Sequence, residues 1–190
     1  ANTTLVATTN LSYVFHDNVV DGLTTTTSNT GAVGVYASQP ASGGGALTFY
    51  NNTIQNITST ASLSGYMYGM HFAGGTPGAL LTYYNNSIHD IVHTGTTSVN
   101  HTNAGFYISS GGMITTLYGN SVKGVTNVAT SGIAYGMFIS NASTINIYNN
   151  FIQQIKASAS GNSSAVNGIY CNSVSATWNI RYNTVALGHD

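Results

Sequence analysis

The sequence predicts an all-β chain folded as a parallel β-solenoid, and three observations lead to this prediction. Short segments alternate apolar and polar residues, as strands do when they bury one face. A segment with an aromatic residue and two asparagines recurs along the whole chain, with a period of 30–34 residues. A glycine-containing segment recurs in step with it. Such a period is typical of repeat architectures that stack one unit on the next.

The asparagine segment is clearest as FYNNTIQNI at 49–57, YYNNSIHDI at 83–91 and IYNNFIQQI at 147–155. Its second asparagine recurs at intervals of 34, 34, 34, 30 and 33 residues, as Asn18, Asn52, Asn86, Asn120, Asn150 and Asn183. Because asparagine tolerates unusual backbone dihedrals, we expect the chain to turn between two strands at the asparagine pair of each repeat. In units stacked about 4.8 Å apart, these amides would bond each other as an asparagine ladder.

The glycine segment reads GVYA, GMHF, GFYI, GMFI and GIYC, starting at Gly34, Gly69, Gly105, Gly136 and Gly168. Connections rich in Ser, Thr and Gly join the two kinds of segment, as expected for loops that leave a stacked scaffold. We therefore expect one domain over 1–190, with a strand-like segment at 1–10. The repeats lie near 11–46, 47–80, 81–114, 115–144 and 145–177, with a partial repeat at 178–190.

Alternation also predicts the core, since equivalent inward positions hold similar apolar residues in every unit. Three residues before the repeated asparagine stand Phe15, Phe49, Tyr83, Leu117, Ile147 and Ile180, and two residues after it stand Val20, Ile54, Ile88, Val122, Ile152 and Val185. Each such residue stabilises the fold by roughly 1.5–3 kcal/mol when it is buried. Cys171 falls in a similar column, so we expect it to be a buried apolar residue.

The motifs IYNN-x-I-x-x-I and YNTV resemble the repeats of right-handed parallel β-helices, and more particularly those of large secreted bacterial surface proteins. The resemblance covers almost the whole chain. It implies a right-handed parallel β-helix of about five full coils plus a partial one. Many members of the β-helix family are polysaccharide lyases or hydrolases, so an enzyme has to be considered as well.

Polysaccharide chemistry needs clustered carboxylates for acid–base work. This chain has no Glu and four Asp, of which Asp17 and Asp21 flank a turn and Asp90 lies two units away. We therefore expect no catalytic residue, and likewise no metal and no cofactor. His89, His93 and His101 lack the helical spacing that places imidazoles on one face, so we expect polar loop residues there, with His89 pointing outward.

Two outward columns are aromatic and are candidates for a face that binds glycans or a protein partner. They contain Tyr50, Tyr84, Tyr118 and Tyr148 beside the asparagines, and Tyr36, Tyr107, Phe138 and Tyr170 in the glycine segment. Stacking that merely stabilises the sheets is the alternative interpretation, since cross-strand aromatic pairs contribute a few tenths to about 1 kcal/mol. Among the Asn-x-Ser/Thr sites, Asn100, Asn141 and Asn162 lie in expected loops and are the candidate glycosylation sites.

Composition limits the partners. Only 4% of the residues are charged, which excludes a phosphate-binding surface, so we expect no nucleic acid partner. No apolar run approaches the roughly 18 residues of a membrane helix. Abundant Ser, Thr, Asn and Tyr favour an extracellular or cell-surface location.

The last segment, ATWNIRYNTVALGHD, is half a unit whose Trp178, Ile180 and Val185 face the core. We expect either an excerpt of a longer solenoid or an end that binds another copy. The sequence thus predicts a non-catalytic structural protein that assembles head to tail into filaments or adheres to surfaces. A glycan-binding or polysaccharide-processing β-helix is the alternative.

Overall fold

The structure is a computed structural model that describes residues 3–6, 12–26, 31–39, 45–61, 65–95, 101–158 and 165–187. The described residues form 19 strands and no helix. All paired strands run parallel and build three sheets, which we name A, B and C. The chain passes from A to B to C and then returns to A. The predicted parallel β-solenoid is therefore confirmed.

Each sheet takes one strand from successive repeats. Sheet A contains, in spatial order, β1 (Thr3–Val6), β5 (Ala32–Gln39), β8 (Gly65–Gly74), β11 (His101–Ser109), β14 (Ile133–Ser140) and β17 (Val166–Asn172). Sheet B contains β2 (Tyr13–His16), β6 (Ala46–Tyr50), β9 (Leu80–Tyr84), β12 (Ile114–Tyr118), β15 (Thr144–Tyr148) and β18 (Thr177–Arg181). Sheet C contains β3 (Val19–Asp21), β4 (Thr24–Thr25), β7 (Thr53–Ser59), β10 (Ser87–His93), β13 (Ser121–Asn127), β16 (Phe151–Ala157) and β19 (Thr184–Ala186).

The expected number of about five full coils is wrong, and about four is correct. The strands β5 to β16 make four consecutive A–B–C coils, each packed between neighbours on both sides. The strands outside them pair on one side only. The outermost sheet C strands, β3 and β19, are three residues long, and every described residue of β18 is exposed. The sequence period gives the number of repeats. A repeat counts as a full coil only when its strands pair with a neighbouring strand on each side, so the number of full coils is smaller.

The interior follows the predicted columns. Phe49, Tyr83, Leu117 and Ile147 are buried, as are the equivalent residues of the isoleucine column that begins sheet C in each coil. In that column Ile88 pairs with both Ile54 and Val122, so like residues lie directly above one another. Ile180 and Val185 occupy the same columns on the outermost described strands and are exposed, because no coil among the described residues covers them.

The glycine column exists because side chains cannot fit there. A Cβ on Gly105 would lie 2.4 Å from Val122 Cγ1 and 2.7 Å from the backbone oxygen of Gly136. An added Cβ on Gly34, Gly69 or Gly136 would meet the equivalent pair of obstacles, and one on Gly168 would meet the side chain of Val185. At this point the backbone of sheet A lies close to the side chains of sheet C. Glycine therefore marks a close internal approach in every coil.

The turn between sheets B and C is made by the residue before the ladder asparagine. This residue has positive φ in every unit: Asp17, Asn51, Asn85, Gly119, Asn149 and Tyr182, with φ of 53–64°. The chain therefore turns at the asparagine pair, as expected, although the ladder asparagine itself does not have positive φ. The first asparagine of each pair supplies the left-handed conformation, and the second is free to form the ladder.

Candidate functional site

The six ladder asparagines form a continuous chain of side-chain hydrogen bonds along the solenoid. Asn52 Nδ2 donates to Asn86 Oδ1 at 2.9 Å, and Asn86 Nδ2 donates to Asn120 Oδ1 at 2.9 Å. From Asn52 onward, each Oδ1 also accepts the backbone N–H of the preceding ladder residue, as Asn120 Oδ1 does from Asn86 at 3.0 Å. Asn52, Asn86, Asn120 and Asn150 are buried. Every internal amide is therefore satisfied, as burial of polar groups requires.

The ladder has a direction, because every asparagine donates toward the later repeat. Asn18 Nδ2 donates to Asn52 Oδ1 at 3.1 Å, and Asn150 Nδ2 donates to Asn183 Oδ1 at 2.9 Å. Within the described residues, Asn18 Oδ1 accepts no hydrogen bond and the backbone N–H of Asn183 donates none. One outer edge thus presents an acceptor and the other a donor.

The two predicted aromatic columns lie on different sheets. On sheet B, the rings of Tyr50, Tyr84, Tyr118 and Tyr148 stack nearly parallel, with centroids 4.8–5.1 Å apart. His16 continues this stack on Tyr50 at 4.7 Å, and the Arg181 guanidinium lies 5.8 Å from the centroid of Tyr148. The ring faces cover each other and only ring edges meet solvent. This geometry favours the stabilising interpretation for sheet B.

The column on sheet A belongs to a wider aromatic cluster outside the solenoid core. Tyr107 stacks on Phe138 at 4.5 Å and on Tyr68 at 4.3 Å, and Phe138 stacks on Tyr170 at 5.5 Å. His71 joins the cluster by edge contacts with Tyr36, Tyr68 and Tyr107. Burial lowers the pKa of His71 to about 4, so it is neutral at neutral pH. The exposed rings at the margin of the cluster are Tyr66 and Tyr170.

The predicted assembly residues lie on the two outermost strands of sheets B and C. Trp178 and Ile180 in β18 are 40% and 46% exposed, and Val185 in β19 is 44% exposed. Their counterparts one coil earlier, Ile145, Ile147 and Ile152, are completely buried. The same side-chain columns are therefore core inside the solenoid and an apolar surface at its edge.

Two histidines are buried within the solenoid, contrary to the expectation of loop residues. His93 ends β10 and His101 begins β11, and their rings stack with centroids 3.7 Å apart. His101 Nδ1 lies 3.0 Å from Asn103 Oδ1, while His101 Nε2 and both nitrogens of His93 make no well-formed hydrogen bond. Burial lowers the pKa of both, to about 4 for His101. The alternation of inward and outward residues along β10 could have predicted that His93 is buried, because it occupies the same inward column as Ser59 and Asn127.

The described carboxylates are not gathered at one point. Asp17 bonds His16 Nδ1 at 2.6 Å, and Asp21 accepts from Gln55 and Asn56 at 2.9 and 2.7 Å. These hydrogen bonds lower the pKa of both exposed carboxyl groups. Asp90 lies beyond the intervening strand β7, where its carboxylate approaches His89. As expected, His89 lies between Gln55 and Lys123. Over the described ranges, no three His, Cys, Asp or Glu side chains form a group that could hold a metal ion.

Of the candidate glycosylation sites, Asn141 is exposed in a bend after β14, and Asn100 and Asn162 lie outside the described residues.

Cys171 is partly buried against the core, and burial raises the pKa of its thiol to about 12. In the described part of the chain, no helix is long and apolar enough to cross a membrane.

Comparison of the chain with protein-family models, curated proteins and solved structures finds no match.

Proposed function

We propose that this chain is a non-catalytic structural protein of the extracellular space or cell surface, whose copies stack head to tail into filaments or adhesive fibres. One observation carries the proposal: within the described residues, three side chains of the apolar core columns are exposed at one edge of the solenoid, namely Trp178, Ile180 and Val185. Contiguous exposed apolar surface on a solenoid edge typically marks an interaction site. A head-to-tail contact repeats without closing, so it yields a filament.

The side chains of the solenoid also suit a structural role. Buried ladders of asparagine and stacked rings of tyrosine stabilise the fold along its axis. With 4% charged residues, stacked copies repel each other little. The extracellular location rests on the Ser-, Thr-, Asn- and Tyr-rich composition.

Electron microscopy and sedimentation of the purified chain test the proposal. We expect fibres whose assembly is abolished by Ile180→Lys or Val185→Asp, since either change places a charge in the uncovered apolar columns. Thr82→Lys, on the outward face of a middle coil, is the matched control and should assemble normally. A monodisperse monomer at high concentration would refute self-assembly. Oligosaccharide release that is lost in Asp90→Asn would refute the non-catalytic assignment.

A second candidate, glycan binding, is supported by the aromatic cluster on sheet A. Tyr66 is 43% exposed and stacks on Tyr68, so it presents a ring at the margin of the cluster. A glycan array that shows binding by the wild-type chain and loss in Tyr66→Ala and Tyr170→Ala would support this candidate. Tyr84→Ala on sheet B is the control, because its ring faces are covered by Tyr50 and Tyr118.

A further inference from the structure

Tyr66 and Tyr68 form a stacked pair at the margin of the aromatic cluster on sheet A. Their ring centroids lie 5.0 Å apart, and the ring planes are inclined by 18°. Both residues belong to β8 and point to the outer face of the sheet, since Met67 between them is buried in the solenoid core. Among the described residues, they are the one pair of stacked tyrosines that lies on a single strand.

The two rings differ in their access to solvent. The Tyr66 side chain is 43% exposed, whereas Tyr68 is only 6% exposed. Tyr68 also stacks on Tyr107 at 4.3 Å and contacts the ring of His71 at 5.1 Å. Burial raises the pKa of Tyr68, so its phenol is neutral at neutral pH. An oxidant in solution therefore reaches Tyr66 first, and Tyr68 can lose an electron to the Tyr66 radical across the stack.

The spacing of the two residues suits a covalent bond between the rings. Oxidative coupling of tyrosines joins a Cε carbon of one ring to a Cε carbon of the other. The rings must then move from face to face to edge to edge, which separates their Cβ atoms by more than the stacking distance. Residues two apart on a strand lie about 6.6 Å apart and allow this movement, whereas paired residues on adjacent strands lie only about 4.8 Å apart.

The tyrosine stack on sheet B provides the comparison within the same molecule. Tyr84 and Tyr118 also stack at 5.0 Å, but they are register partners on adjacent strands. An edge-to-edge arrangement of these rings would push the strands β9 and β12 apart. Both pairs are closely stacked, and only Tyr66 and Tyr68 also have the wider backbone spacing that the bond requires.

We propose that Tyr66 and Tyr68 form an oxidative modification site, where a haem peroxidase with hydrogen peroxide joins the two rings as dityrosine. Each phenol loses one electron to the oxidised haem and its hydroxyl proton to water. The two radicals couple through a new Cε–Cε bond, both Cε–H bonds break, and these protons pass through water to the oxygens, which become hydroxyls again. In total, two tyrosines lose two hydrogen atoms, and one hydrogen peroxide is reduced to two water molecules.

Peroxidase treatment of the dilute purified chain tests the site. The products are separated on a denaturing gel, and dityrosine fluorescence is measured in the monomer band. We expect fluorescence there, because the cross-link lies within one chain. Since the gel dissociates any assembly, this result does not depend on the proposed filaments. Mass spectrometry should show a loss of two hydrogen atoms in the peptide that contains residues 66–68, with no fragment ions from cleavage between them.

Two matched variants show whether this pair is responsible. Tyr68→Phe keeps a stacked ring but cannot form a phenoxyl radical, so the monomer fluorescence should fall at least tenfold. Tyr84→Phe removes one hydroxyl group from the sheet B stack, leaves the same number of tyrosines and should give the wild-type yield. Tyr66→Phe changes an exposed side chain and should match Tyr68→Phe, which guards against a folding defect at the buried position. Circular dichroism verifies that the variants keep the β fold.

The proposal is overturned by any of three results. The wild-type monomer could contain no dityrosine, with cross-links found only between chains. The cross-link could map to Tyr84 and Tyr118 in the wild-type chain. Alternatively, Tyr66→Phe and Tyr84→Phe could give equal fluorescence in the monomer band, which would show that neither stack is preferred.

Discussion

The imidazoles of His93 and His101 stack at 3.7 Å inside the solenoid, although they belong to different sheets. His93 is flanked in register by the uncharged Ser59 and Asn127, and His101 contacts Asn103. Both rings are therefore buried as neutral groups without a counter-ion. Protonation of either ring would place a charge in a site that cannot stabilise it.

Acid should therefore destabilise the fold. The folded-state pKa of His101 is about 4, below its ordinary value of 6.5, so the unfolded chain takes up the proton first as the pH falls. The stabilisation is complete above pH 6.5 and is lost progressively toward pH 4, by about 3 kcal/mol for this residue. Urea unfolding at several pH values measures it. His93→Asn with His101→Gln should flatten the dependence, while the half-exposed His89→Gln should not.

Substitution of a ladder asparagine should destabilise the fold most at the buried centre of the ladder. Asn86→Ala removes an amide that bonds Asn52, Asn120 and the carbonyl oxygen of Phe49. Several buried groups lose their partners, so the free energy of unfolding should fall by about 3 kcal/mol. Asn183→Ala, at the half-exposed end, should cost clearly less. Chemical denaturation compares the two, and equal costs would show that ladder burial is not the cause.

The glycine column should reject even a methyl group. In Gly105→Ala, the added carbon would lie within 3 Å of Val122 and of the Gly136 carbonyl oxygen, so we expect a loss of about 2–3 kcal/mol. Gly78→Ala is a control that measures the cost of backbone strain at positive φ without a steric clash. Gly78 has φ of +84° but no atom within 4 Å of an added Cβ, so it should lose about 1 kcal/mol. A Gly105→Ala protein as stable as wild type would contradict the proposed close approach.

Replacement of Tyr182 should increase the stability of the protein. Tyr182 has φ of 56° at the turn where other repeats place Asn, Asp or Gly, and it is 81% exposed. Tyr182→Asn should raise the free energy of unfolding by about 1 kcal/mol, because asparagine adopts this conformation at lower cost. Thermal unfolding provides the measurement. Tyr182→Ala is the control and should give no gain, since alanine has the same steric conflict at positive φ.

The sequence by itself determined the repeat, its strands and most of its core. These follow from local alternation and from the recurrence of Asn18 and its equivalents, which place like residues in one column whatever the exact path of the chain. The ladder and the stacked tyrosines were predictable for the same reason, since a 34-residue period becomes a vertical neighbour once the repeats stack.

Only the tertiary structure decided how the columns meet across the coil. The stacking of His93 on His101 joins different sheets, so no periodicity within one segment reveals it. The steric role of Gly105 likewise depends on Val122 from another sheet. The number of full coils depended on which strands are covered on both sides. Ile147 and Ile180 share a column, yet one is buried and the other exposed, because burial is set by the next coil and not by the residue itself.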